Sequence, residues 1–530
     1  MNRTPVALLA VAGLLAPALT ACGGPPIDDV IVLGTTDTLS ASKEAPAPLD
    51  PAFAYDVTSW NILRQTVQTL LIQHRDEGEP VPEAAESCGF TDSRSERYVC
   101  ILRKDLTFAN GDPITASDVK YSIDRARALK SDSGVFALLS TIDTVETRGD
   151  REVVFHLKIP DATLPFKLST PVAGIVDPDI YDKKKLRGGF EVDGSGPYML
   201  RTEIFDHKLV SAVFTKNPNY QGSLKVNNDR VELRSFQDAD EMGAALNKGR
   251  IDVMTRTMLP AQIDRLTADS DAKIDLIDTP GREIRYLAFN TNAPAVKSKA
   301  VRQAMAQVID RAELVTIVYR SQAEPLYSLV PAGVTGHSNS FFNKYGDPDV
   351  GKAKSLLERA GITTPVKLTL HYTTDHYGAA TETEFELLKL QLNDSGLFVV
   401  DIKGTPWEKF RVREKKGEYE VYGMGWFPDF PDPDNYLAPF LDKDNFLGSP
   451  YSNSVIRNTL IPGSRRATNR PSASIMLTRI QDIVANDVPV LPLWQSKQYV
   501  AANDAVTGTA YTFNSCSTLQ LWELSRGLSS

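Results

Sequence analysis

The sequence predicts an α/β protein of at least two lobes. Segments with the two-residue period of strands alternate with segments of helical period. The 530 residues are also more than one hydrophobic core normally serves. With 42% apolar and 24% charged residues the composition is that of a globular chain, excluding disorder and coiled coil. A net charge of −9 gives no electrostatic footprint for nucleic acid or an anionic membrane surface.

The chain opens with an export signal. Its apolar stretch, Val6 to Leu19, is interrupted by Gly13 and Pro17 and is shorter than the roughly 20 residues a spanning helix needs. Small residues then precede a cysteine in Leu19-Thr20-Ala21-Cys22, which resembles the bacterial lipobox. That resemblance makes residues 1–21 a signal peptide, Cys22 the acylated N-terminus (a palmitate-type anchor), and residues 22–28 a tether rich in Gly and Pro. No later apolar run approaches spanning length, so a body held at the outer face of a membrane is expected.

Cys88 and Cys100 flank a polar turn between two strand-like runs, and an oxidising compartment permits a disulfide that closes this hairpin. Cys516 has no partner nearby in sequence and reads as a small buried hydrophobe. Thr115-Ala116-Ser117-Asp118 caps a helix that turns Val119, Ile123 and Ala126 inward. Another helix follows Ser298, with Val301, Ala304, Met305, Val308 and Ile309 on one face. Asp310 with Glu313 opens a further helix whose expected buried face is Leu314, Ile317 and Val318. Val366, Leu368, Leu370 and Tyr372 alternate with polar residues as a strand with one buried face, followed by a helix over Glu382 to Asn393 that Gly396 stops.

Catalytic and metal constellations are thin. Ser195, in Gly194-Ser195-Gly196-Pro197, lacks the Gly-x-Ser-x-Gly spacing of a nucleophile elbow. His371 and His376 match no metal spacing and read as surface-loop histidines. Asp429, Asp432 and Asp434 lie among prolines at 428, 431 and 433 that replace the glycine of a calcium loop. A carboxylate in so stiff a loop, beside Trp426, suits presentation of one negative charge to a ligand's cation. The chain therefore reads as a non-enzyme with no cofactor and no metal.

Several separated segments together resemble the extracellular solute-binding proteins of family 5, which serve ABC importers of peptides and related solutes. They are Leu49-Asp50-Pro51-Ala52, the stretch Leu102 to Val119 with Asn110-Gly111-Asp112-Pro113, Gly194 to Tyr198, Asn217-Pro218-Asn219-Tyr220, Lys248 to Asp252, Leu287 to Asn290, Val301 to Arg311, and Gly425-Trp426-Phe427-Pro428-Asp429 with Asp432-Pro433. Their turn chemistry reads as structural, with Gly194 and Gly196 letting backbone approach a neighbouring strand.

The resemblance implies the two-lobed type 2 periplasmic-binding-protein fold, with a hinge near Thr279 to Arg285 and Leu493 to Gln498. Lobe I comprises residues 29–66, 192–282 and 494–530, an inserted subdomain 67–191, and lobe II 283–493. It implies a monomer that encloses a peptide or peptide-like ligand and delivers it to a permease coupled to ATPase subunits. By that resemblance Asp429, three residues after Trp426, pairs with the peptide's α-ammonium, Trp426 stacks near the pocket mouth, and Tyr55, Trp407 and Tyr377 are further ligand-contact candidates. Dipeptide-specific members carry an Arg after the strand equivalent to Val366 to Tyr372. Here Thr373 to Tyr377 contains none, so longer peptides or another solute gain weight. Two rival functions remain, a lipid-anchored hydrolase and a non-binding scaffold of the same fold.

Overall fold

The computed structural model describes residues 30–527 apart from 44, 76–77, 132, 256–257, 269–272, 321, 379 and 444. The signal peptide, Cys22 and the tether of residues 22–28 lie outside the described residues.

Apolar side chains collect into two large cores. One unites Ile284 through Trp494, and the other joins Ile31 through Val253 with Val500 through Leu524. Among the described residues an eleven-stranded mixed sheet runs through both. Its backbone link is a pair of long antiparallel strands, Ile274–Phe289 and Val490–Asn503. Toward the core of Ile31 and Val253, Val500 to Ala502 pair outward with Val253–Thr255; toward the core of Ile284 and Trp494, Ile284 to Phe289 pair outward with Val421–Trp426. The register between the two long strands shifts between Pro280 and Ile284. Gly281 makes that crossing possible, since a Cβ there would sit 2.4 Å from Ser496 Oγ and 2.5 Å from its carbonyl oxygen.

A separate four-stranded antiparallel sheet holds Ala85–Phe90, Arg97–Leu102, Glu152–Leu157 and Ile142–Arg148. Cys88 and Cys100 face each other across its first hairpin and form the expected disulfide. The helix Ala116–Leu129 packs on this unit with Val119, Ile123 and Ala126 buried, and Thr115 and Asp118 complete the capping box.

Four expectations are corrected. Ile317 is 55% exposed although Leu314 and Val318 are buried, because Val315–Tyr319 forms a π-type turn whose wider pitch rotates Ile317 outward and Tyr319 inward. The strand Val366–Thr373 has one buried face only in its first half; beyond Leu370, His371 and Thr373 are buried as well, with the Tyr419 ring covering His371. His371 is therefore no surface-loop residue: its ring stacks 4.2 Å from that of Tyr419, and burial pushes its imidazole down to about 4. Gly194 and Gly196 approach the carboxyl end of the helix Val57–Thr66 rather than a strand, with Gly196 N donating to Thr66 O at 3.0 Å.

Candidate functional site

The strand Val421–Trp426 is buried along its whole length and delivers the chain into the proline-stiffened loop 427–433. Arginines hold that loop at two points. Arg470 bonds both Asp432 oxygens, at 2.6 and 2.9 Å, and Arg465 bonds both Asp434 oxygens, at 2.8 and 3.1 Å. Two of the three carboxylates weighed for calcium are thus committed to guanidinium groups. The loop also reaches the first lobe. Phe430 joins that lobe's core and stacks on Phe166 with ring centres 5.6 Å apart.

Asp429 is left facing the boundary between the lobes. Asn435, at the start of the helix Asp434–Leu441, donates Nδ2 to Asp429 Oδ2 at 2.7 Å and accepts the Asp429 backbone N–H at 2.8 Å. Tyr55, placed just before the helix Val57–Thr66 of the first lobe, donates its hydroxyl to the same Oδ2 at 3.3 Å. Among the described residues Oδ1 accepts no hydrogen bond, and no Lys or Arg nitrogen comes within 4.0 Å of the carboxylate. Burial pushes the Asp429 carboxyl up to about 6, against the opposing hydrogen bonds of Asn435 and Tyr55 and the more distant charges of Arg64 and Lys167. A desolvated carboxylate without a cation is suited to receive one.

Trp426 lies deeper than the pocket mouth. It is 6% exposed, packs edge-on against Phe440 and Phe446, and donates Nε1 to Asn435 Oδ1 at 3.3 Å. It therefore supports the residue that orients Asp429. Tyr377 and Trp407 form a second group: Trp407 stacks in parallel on His376 at 3.8 Å, with Tyr377 edge-on to both. Tyr377 also covers the guanidinium of Arg285 at 3.9 Å, and Arg285 pairs with Glu283. Gly425 leaves room for that guanidinium, since a Cβ there would lie 1.8 Å from Arg285 Nη1.

Asn435, Arg285 and Arg64 escape the sequence reading. Arg285 interrupts the apolar strand segment Ile284 to Phe289, and Arg64 lies one helical turn after Trp60 on a face that otherwise turns inward, so a charge in an apolar pattern was the available signal. The remaining motifs brace the scaffold. Arg125 bonds both oxygens of Asp50, Asn217 Nδ2 bonds Gly196 O, Asp252 receives Arg526 and Asn503, and Arg302 caps the carbonyls of Asp487 and Val488. Ser195 is fully buried with no histidine bonded to it. Among the described residues no three His, Cys, Asp or Glu side chains are grouped to hold a metal.

Residues 79–448 match the family described as bacterial extracellular solute-binding proteins, family 5 Middle. A probable D,D-dipeptide-binding periplasmic protein of Escherichia coli is 25% identical, over 90% of this chain and 92% of its own. Heme-binding protein A of Haemophilus influenzae is likewise 25% identical, with 88% of each chain covered. In structure the chain resembles the periplasmic binding protein DppA of Helicobacter pylori, solved in complex with the peptide STSA: TM-score 0.78, 22% identity, 94% of this chain and 98% of that one.

Proposed function

The chain belongs to the bacterial extracellular solute-binding proteins, family 5, and from that membership we propose that it captures a peptide or peptide-like solute between its lobes and hands it to an ABC permease. Asp429 carries the reading: a stiffly mounted carboxylate at the lobe boundary, desolvated, with no ion-pair partner among the described residues, and hydrogen-bonded from both lobes. A peptide's α-ammonium would supply that cation through a charge-assisted bond, and a blocked terminus would leave the carboxylate unpaired. Backbone hydrogen bonds to an extended ligand would add affinity indifferent to side chains. Relatives named as binders of dipeptides, oligopeptides and heme share the scaffold, which thus accepts more than one solute class.

Closure follows from the same residues. Ligand touching Asp429 from the second lobe and Tyr55 or Arg64 from the first binds the closed form better and shifts the population toward it. The bend falls where the two long strands change register, dividing lobe I (29–66, 192–282, 494–530, with its subdomain 67–191) from lobe II (283–493). Cys22 would tether this monomer to the membrane, leaving the lobes able to turn toward the permease. Tyr377 and Trp407 would line the ligand's path.

Mass spectrometry of solute retained by the purified protein after incubation with a free-amine peptide pool tests this. Intact peptides should be recovered with stoichiometric occupancy. Cleaved products would indicate a hydrolase, and recovery of no peptide would contradict the proposal.

A further inference from the structure

Among the described residues the first lobe holds a cation without an ion-pair partner, Arg64. Arg64 is half-buried near the end of the helix Val57–Thr66. Among the described residues its guanidinium makes one hydrogen bond, Nη1 to Ser169 O at 3.1 Å, and rests 5.6 Å from the Trp60 ring. Among the described residues no carboxylate oxygen lies within 4.0 Å of it. Behind it is a small cavity lined by Gln68, Thr69, Ser169, Thr518 and Trp522 among others. The cavity's one carboxylate, Glu83, is already engaged: Gln68 and Tyr220 donate to Oε1 at 3.1 and 2.5 Å, and the Ser223 N–H donates to Oε2 at 2.8 Å. Glu83 thus commits its hydrogen-bonding capacity to other partners and, among the described residues, makes no ion pair with Arg64. Burial lowers the Arg64 guanidinium to about 10, and the attractions that oppose the shift come from Cys516 and, across the lobe boundary, Asp429.

Even half-buried, a cation left unpaired carries a desolvation cost that an arriving anion would offset. Among the described residues most of Arg64's five N–H donors make no protein bond, and a guanidinium fork matches a carboxylate. We propose that Arg64 is an anion-recognition residue of the cleft, so that the ligand carries a carboxylate close to the ammonium that Asp429 receives. The inference rests on the peptide reading above. It narrows the solute to one with a nearby negative group, which a short peptide's C-terminus or an acidic N-terminal side chain can provide equally. The loop Thr373 to Tyr377 has no arginine for this task, so the charge is met from the opposite lobe.

Calorimetry with two matched pairs separates the sources: Ala-Ala against Ala-Ala-amide, and Asp-Ala-Ala-amide against Asn-Ala-Ala-amide. The protein should favour the carboxylate member of at least one pair by about tenfold or more, the scale of a charge-assisted bond. Arg64→Gln should erase that preference and Arg64→Lys should keep part of it, with the ligand-free melting temperature measured for each variant. Equal affinity within both pairs, while Asp429→Asn still weakens all four peptides, would overturn the role of Arg64 and leave the ammonium site standing. A preference that persists in Arg64→Gln would overturn it too. Absence of binding by all four peptides would overturn both readings. The wild-type comparison decides even where a variant fails to fold.

Discussion

The Tyr55 hydroxyl and the Asp429 carboxylate, 374 residues apart in the chain, meet at 3.3 Å across the boundary between the lobes. One hydrogen bond thus joins the first lobe directly to the residue proposed to hold the ligand's charge.

Removing that bond should loosen the ligand-free protein. A hydrogen bond to a charged group contributes about 1.5–3 kcal/mol, and Tyr55→Phe deletes only the donor. Small-angle scattering of ligand-free Tyr55→Phe should show a larger radius of gyration than wild type. Binding should weaken less than in Asp429→Ala, because the carboxylate remains.

Asp429 should make binding depend on pH. With its carboxyl pushed up to about 6, the charged form that attracts an ammonium is lost below that value. Affinity for a free-amine peptide should fall roughly tenfold between pH 8 and pH 5, the cost of deprotonation one unit below the pKa. Calorimetry across that range checks it, and Asp429→Asn should flatten the profile.

For stability the same shift has the opposite sign. A carboxyl raised in the folded protein binds more protons there than in the unfolded chain between roughly pH 4 and pH 6. Its stabilising contribution is full below the unfolded value and is lost as pH rises through about 6. Ligand-free Asp429→Asn should therefore melt at a higher temperature than wild type at pH 8, and the gap should shrink toward pH 4.

Asp432→Ala should both destabilise the protein and abolish binding. Asp432 is 2% exposed and Arg470 is 5% exposed, so removing the carboxylate strands a buried guanidinium at a cost of about 3–5 kcal/mol. The loop presenting Asp429 loses an anchor with it. Chemical denaturation and calorimetry measure the two losses separately.

Reducing the Cys88–Cys100 disulfide should lower stability without touching the ligand site. Closing so short a loop contributes about 3 kcal/mol in the chain-entropy model. The double substitution Cys88→Ser with Cys100→Ser should lower the melting temperature while peptide affinity stays within twofold, about 0.4 kcal/mol.

What the sequence made legible was local. The capping box at Thr115 and Asp118 and the hairpin between Cys88 and Cys100 are each set by residues a few positions apart, and all stand in the structure. Ile317 was misplaced because its orientation depends on a π-type turn, and periodicity assumes a uniform pitch. His371 was misplaced because its burial comes from Tyr419, nearly fifty residues further on. The site follows the same division. Asp429 and Tyr55 are both candidates from the sequence, whereas their hydrogen bond and the approach of Arg64 exist only because the lobes meet; Asn435, six residues after Asp429, is a polar side chain that no motif singles out.

The central claim is that Asp429 receives the ammonium of a captured solute. Calorimetry of the chain lacking residues 1–22, titrated with one peptide in its free-amine and N-acetylated forms and repeated with Asp429→Ala, tests it most directly. The free-amine peptide should bind wild type at least tenfold more tightly than its acetylated form, a gap of about 1.4 kcal/mol, and Asp429→Ala should remove that gap. Equal affinity for the two forms, or unchanged affinity in Asp429→Ala, would contradict it.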